Sequence, residues 1–220
     1  MSEYLIHGET LTGIADAIRG KTGGTEPVAI SDMAAQIEGI QAGSGGDIDA
    51  LIDRSITEIS SSSATSIGES AFKGCRSLTT VDFPVATSIG SSAFQGCSSL
   101  TTVDFPVAAS IGSSAFYSCS KLTTADFPVA ASIESSAFRM CSKLKSLVLR
   151  GNNVCTLNKN VFVSTPISSG TGYIYVPSAL IEQYKAATNW SAYSAQFRAL
   201  EDYTVDGTIT GELDPAKTGT

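Results

Sequence analysis

Three aspartates pose the first chemical question. Asp82, Asp104 and Asp126 stand 22 residues apart, and each follows a threonine by two positions: Thr80, Thr102 and Thr124. Such a row is open to three readings. It can be a line of solvated carboxylates, since neighbours about 5 Å apart in water repel by only about 1 kcal/mol before salt screening. It can hold calcium between adjacent carboxylates, although that ion needs about six to eight oxygens and the row alone does not supply them. It can also be a concave ligand face on which threonine hydroxyls and carboxylates meet sugar hydroxyls. The next copy of the pattern has Val148 in the aspartate's place, so the row stops there.

Other reactive side chains offer less. His7 is the single histidine, and a lone histidine in the first residues is read as solvated. The many serines fall at recurring turns, without a base beside them. Gly-Ser-Gly-Gly at 43–46 lacks the strand and helix that flank a phosphate loop. Asn189-Trp190-Ser191 fits a glycosylation sequon and is read as chance. Cys75, Cys97, Cys119 and Cys141 also recur every 22 residues. A single line of thiols offers no unique disulfide partner and no tetrahedron for zinc, so these residues and Cys155 are expected to be small buried core residues. No catalytic residue, metal site or cofactor is expected.

The elements that must position the aspartates form one sentence said four times, with copies beginning at Ser63, Val85, Val107 and Val129. A fixed period of this length marks a solenoid, in which each coil buries its apolar face only against its neighbours. Ile67, Ile89, Ile111 and Ile133 should stack, followed by Phe72, Phe94, Phe116 and Phe138, then the cysteines, then Leu78, Leu100, Leu122 and Leu144. Val81-Asp82-Phe83 alternates with strand period, and Pro84, Pro106 and Pro128 close the strand. The serine-rich turn before each Ala-Phe pair suits a short helical or 3-10 turn. A degenerate fifth copy holds Leu157, Phe162 and the strand at 173–176.

Outside the coils, residues 1–41 read as a small helical module. Leu11, Ile14 and Ile18 share one helical face, and Met33, Ile37 and Ile40 a second. These six are the candidate assembly residues, because two short helices bury too little area alone and must dock on something. Residues 42–62 combine a Gly/Ser linker with an N-terminal cap, in which Ile48, Leu51, Ile52 and Ile56 suit an amphipathic helix. Residues 63–177 are the solenoid. Residues 178–220 read as a helical C-terminal cap, carrying Leu180, Ile181, Tyr184, Trp190, Tyr193 and Phe197, followed by a hairpin signal at Asp206-Gly207. The fold class is therefore an α/β solenoid of 22-residue coils, with a parallel sheet on one face and turns or short helices on the other.

A net charge of −7 and the absence of a basic stripe argue against nucleic acid as a partner. No apolar run is long enough for a membrane span. The first ten residues, MSEYLIHGET, show neither a basic nor an apolar stretch of signal-peptide type.

The pattern I-x-x-x-A-F-x-x-C-x-x-L-x-x-V-x-F-P resembles the BspA-like leucine-rich repeats, and IYVPSALIEQYKAATNWSAYSAQF is similar to the end of such proteins. LTGIADAIRGKTGGTEPVAISDMAAQI resembles a short module of phage and prophage structural proteins, of tail-fibre type, from gut Firmicutes. The first resemblance implies a non-enzymatic leucine-rich repeat scaffold. The second implies a virion protein: a tail-fibre, decoration or receptor-binding component, homo-oligomeric and joined to other virion proteins through residues 1–41. Its expected partner is a host-surface glycan or protein, and it would be made in the host cytoplasm and released by lysis. The alternative implied by the repeats is an adhesin on the bacterial cell surface, exported without a Sec signal.

Overall fold

A computed structural model describes residues 54–203. The expected helices bearing Leu11, Ile14, Ile18, Met33, Ile37 and Ile40 lie outside the described residues, as do Ile48, Leu51, Ile52 and the hairpin signal.

Each coil has three sides, and each side has its own inter-coil ladder. The first side follows from the Thr-x-Asp strands: β3 (Thr80–Asp82), β5 (Thr102–Asp104), β7 (Thr124–Asp126) and β9 (Ser146–Val148). β5, β7 and β9 run parallel and in register, and β11 (Tyr173–Val176) and β12 (Phe197–Ala199) complete a five-stranded sheet. β3 pairs instead with β1 (Glu58–Ser60). After the Phe-Pro turn comes the second side, another five-stranded parallel sheet. It is made of β2 (Ser66–Ile67), β4 (Ser88–Ile89), β6 (Ser110–Ile111), β8 (Ser132–Ile133) and β10 (Thr156–Leu157).

The third side corrects the expected helical turn. Ser70, Ser92, Ser114 and Ser136 adopt left-handed backbone with φ between 56° and 59°, and a second left-handed residue follows four positions later. A residue of that kind ends a right-handed helical turn. What the chain gains instead is a third ladder: the Ser70, Phe72 and Gly74 amides donate to the Ser91, Ala93 and Gln95 carbonyls at 2.7–2.8 Å. The same bonds recur from Ser92, Phe94 and Gly96 to the following coil.

The second left-handed position is Gly74 and Gly96 in the early coils, then Ser118 and Met140. Glycine bears this φ without steric cost, whereas a side chain there costs about 1–2 kcal/mol. Met140 is also exposed, at 45 %. Met140→Gly is therefore expected to raise stability by about 0.5–1 kcal/mol, or about 2 °C in Tm. A fall in Tm on calorimetry would show that the methionine is held by contacts that outweigh its backbone strain.

The interior is continuous. Phe72, Phe94, Phe116, Phe138 and Phe162 stack with centroids 5.3–6.1 Å apart, as expected for one ladder. Phe83, Phe105 and Phe127 form a second stack tilted against the first. The five cysteines are free and buried, which agrees with their reading as core. They have an added role: the Cys97, Cys119 and Cys141 thiols donate to the Phe72, Phe94 and Phe116 carbonyls at 3.0–3.1 Å, tying each coil to the one before.

Both ends differ from expectation. At the N-terminal end, the last part of the anticipated cap helix is β1, which continues the register by pairing Ile59 with Val81. Within β1 the buried Ile59 stands between Glu58 and Ser60, and the β-branched residues Ile56, Thr57 and Ile59 favour strand. At the C-terminal end, the expected helical cap is mostly 3-10 and strand. Ser178–Leu180 is 3-10, α1 spans only Ile181–Ala186, and Ser191–Gln196 is 3-10 with a kink at Tyr193. Phe197 does not lie on a helix; it lies in β12 opposite Ile174. The reason is the unsatisfied edge of β11, which gains a backbone partner from β12 that a helix could not supply. Trp190 seals the core, fully buried, with its indole N–H on the Cys155 carbonyl at 2.6 Å.

Candidate recognition surface

The first sheet holds its residues in strict alternation. Val103, Ala125, Leu147, Ile174 and Phe197 point inward and are buried. The residues on either side of them form two outward columns. One column runs Thr102, Thr124, Ser146, Tyr173 and the other Asp104, Asp126, Val148, Tyr175, Arg198. Parallel strands lie about 4.8 Å apart, so each column is a row of side chains at van der Waals spacing.

The sequence-derived candidates separate into three situations. Asp104 and Asp126 are in register on neighbouring strands, with Thr102 and Thr124 beside them. Thr80 and Asp82 are exposed but belong to the β1–β3 pair. Asp126 is not a solvated member of the row, because Arg150 grips it as a fork, Nη2 to Oδ2 at 2.8 Å and Nε to Oδ1 at 3.3 Å. A guanidinium already on that carboxylate takes the oxygens a calcium ion between Asp104 and Asp126 would need. Among the described residues no group of three or more His, Cys, Asp or Glu side chains is placed to hold a metal ion.

The structure adds residues that motif reading overlooked. The Arg150 guanidinium lies over the Tyr203 ring, 5.9 Å from its centroid, and Tyr203 meets Tyr175 at 4.9 Å. Tyr203 is also within hydrogen-bonding reach of Thr124, and burial together with the Asp126 carboxylate raises its hydroxyl pKa. Val148, outward by register, is fully buried in the midst of these groups. At the far end, Arg198 stacks on Tyr173 at 4.3 Å and donates to the Ala195 and Phe197 carbonyls. The face thus grades from carboxylates and hydroxyls on β5 and β7 to tyrosines and arginines on β11 and β12. The alternation of Tyr173 and Tyr175 in the fifth strand carried a sequence signal for outward rings. Nothing local marks Arg150 or Tyr203, which reach the face from the loop after β9 and from the end of the lid.

Around the corner, Pro128, Val129, Arg150, Gly151, Asn152 and Asn153 line a shallow cleft of about 310 Å³. It is open to solvent and holds no paired acid and base. Burial raises the thiol pKa values of Cys75 and Cys155 to about 11 and about 12, the opposite of what a nucleophilic thiol requires.

A stack of short parallel strands, with three backbone ladders and no convergent reactive groups among the described residues, defines a repeat scaffold of the leucine-rich type. The particular family follows from the residue pattern: the model for the BspA type leucine rich repeat region matches residues 65–182 in six copies, and the chain belongs to that family. The crystal structure of the T. pallidum leucine rich repeat protein TpLRR is similar over 50 % of this chain and 70 % of that one, with 22 % identity and a TM-score of 0.34. No curated protein matches the chain.

Proposed function

We propose that this protein is a non-enzymatic recognition scaffold whose outward sheet face, from Asp104 to Arg198, binds a glycan or protein on a cell surface. The observation that carries the reading is the pair of in-register outward columns on a rigid sheet, which place hydroxyls, carboxylates and tyrosine rings on one plane. Tyrosine and arginine are the residues that most often dominate binding energy at interfaces, and hydroxyls beside carboxylates suit sugar hydroxyls. Thr102, Asp104, Thr124 and Asp126 form its polar half, and Thr80 and Asp82 on the β1–β3 pair extend it toward the first coil. Membership of a leucine-rich repeat family supports a binding role in preference to catalysis.

The finer reading is a virion component, a tail-fibre, decoration or receptor-binding protein. It attaches to other virion proteins, and to copies of itself, through residues 1–41 and the apolar positions Leu11, Ile14, Ile18, Met33, Ile37 and Ile40. What supports it is the resemblance of that segment to phage structural modules. The BspA-type repeats favour a second reading, an adhesin on a bacterial surface. Mass spectrometry of purified particles against cell-wall fractions separates the two by where the chain is found.

The test of the face uses glycan arrays and intact cells with two single variants. Asp104→Ala and Tyr175→Ala are each expected to weaken binding tenfold or more without lowering Tm by more than a few degrees. Unchanged binding in both variants would remove the sheet face as the site.

A further inference from the structure

Five of the eleven lysines and arginines of residues 54–203 fall on one edge of the solenoid, where the 22-residue period spaces them too far apart in sequence to form a basic run. After each core phenylalanine the chain turns through five residues toward the next strand. That turn carries Lys73 and Arg76 in one coil, Lys121 two coils later, and Arg139 and Lys143 in the next. Lys73, Arg76, Lys121 and Lys143 are exposed. Among the described residues none of the five has a carboxylate within ion-pair distance; the ion pairs there are Arg150 with Asp126 and Lys185 with Glu182. The Arg139 Nε is buried without a hydrogen-bond partner.

Charge along the chain is distributed against this edge. Residues 54–203 hold eleven Lys and Arg against nine Asp and Glu, whereas residues 1–53 hold two against nine. The acidic character of the protein therefore belongs to the N-terminal segment and not to the solenoid. The point of entry also matters. The Arg54 side chain packs beside Gly74, 3.5 Å from where a Cβ would stand, and its charge acts on the Cys75 thiol. The chain thus joins the solenoid at the first coil of the basic edge. Asp47, Asp49 and Asp53 immediately precede it. Seven extended residues span about 23 Å, against about 14 Å from the first to the fourth coil.

We infer that the acidic N-terminal segment, residues 1–53, docks in cis along the basic edge formed by Lys73, Arg76, Lys121, Arg139 and Lys143. Single exposed ion pairs are weak, but a tethered segment meets the edge at an effective concentration in the millimolar range, and several pairs act together. The carboxylates serve this contact, which leaves the apolar positions of residues 1–41 for assembly. The inference does not depend on the sheet face, which lies on another side of the coil.

Zero-length carbodiimide coupling of the full-length protein at low salt tests it, because the reagent condenses a lysine amine with a carboxylate only where the two already touch. Peptide mapping is expected to join Lys73, Lys121 or Lys143 to carboxylates within residues 1–53, in species of monomer mass. Raising salt to 0.5 M should cut the yield several-fold. The triple variant Lys73→Glu, Lys121→Glu, Lys143→Glu should expose residues 1–53 to limited proteolysis at least fivefold faster, with the Tm of the solenoid unchanged. Cross-links from these lysines to residues 1–53 found only in species of dimer mass, or none from these lysines to residues 1–53, would overturn the proposal. So would retention of the wild type on heparin or duplex DNA at 0.15 M salt that the triple variant loses, since the edge would then serve an external polyanion.

Discussion

Phe116→Ala is expected to destabilise the solenoid by about 3–5 kcal/mol, the range for truncating a fully buried aromatic ring. Phe116 stands at the crossing of the two aromatic stacks. It faces Phe94 and Phe138 at 5.3 and 5.4 Å along its own ladder, and Phe105 and Phe127 at 6.2 and 6.1 Å across the interior. Its burial is complete, so truncation leaves a void that rigid backbone ladders on three sides cannot close. Each coil is stabilised by its interfaces with its neighbours, so damage to a central coil weakens the coupling of both halves. Phe72, in the first full coil and 6 % exposed, should cost clearly less when truncated. Urea unfolding followed by the emission of Trp190, the single tryptophan, gives both values. Equal losses at the two positions, or a loss under 1 kcal/mol at Phe116, would contradict a continuous interior.

The second large effect is loss of stability in alkali. Burial raises the pKa of Cys75 to about 11 and that of Cys155 to about 12, and it raises Cys97 and Cys119 as well. Unfolded, these thiols ionise near their ordinary value of 9.0. The folded state then holds protons that the unfolded state releases, so stability is full below about pH 9 and falls as pH rises through the folded pKa values. Each thiol contributes about 1.4 kcal/mol per pH unit, and four together about 5 kcal/mol per unit between about pH 9 and 11. Tyr184, buried in the lid and raised to about 12, adds to the loss above pH 10. The urea midpoint is expected to be flat from pH 7 to 8.5 and to drop steeply beyond. Cys119→Ala removes one thiol and should flatten the slope by about a quarter. A midpoint unchanged at pH 10.5, or a slope indifferent to Cys119→Ala, would mean that the thiols do not report the fold in this way.

How much of this was legible beforehand depends on the range of the interaction. The repeat copies identical side chains at one interval, and parallel stacking brings identical positions together. The ladders of Ile67, Phe116, Cys119 and Leu122 with their equivalents, and the outward register of Asp104 and Asp126, therefore follow from spacing alone. The lid was harder, because Phe197 belongs to a sequence of helical character and is claimed by the free edge of β11, a force absent from any local window. The candidate face was half legible. Thr102 and Asp104 repeat, but Arg150 and Tyr203 come from irregular segments and meet Asp126 only after the chain has turned.

The sequence by itself determined the coil, its interior and the strand that carries the aspartates, because periodicity is a statement about which residues become neighbours. Only the tertiary structure decided the charge pattern. It took Asp126 out of the acidic row by folding Arg150 onto it, and it brought Tyr203 from the end of the lid against the same pair. Charge acts through space over several ångströms, whereas these residues are separated in sequence by whole coils, so the fold had to place them before their sum had meaning.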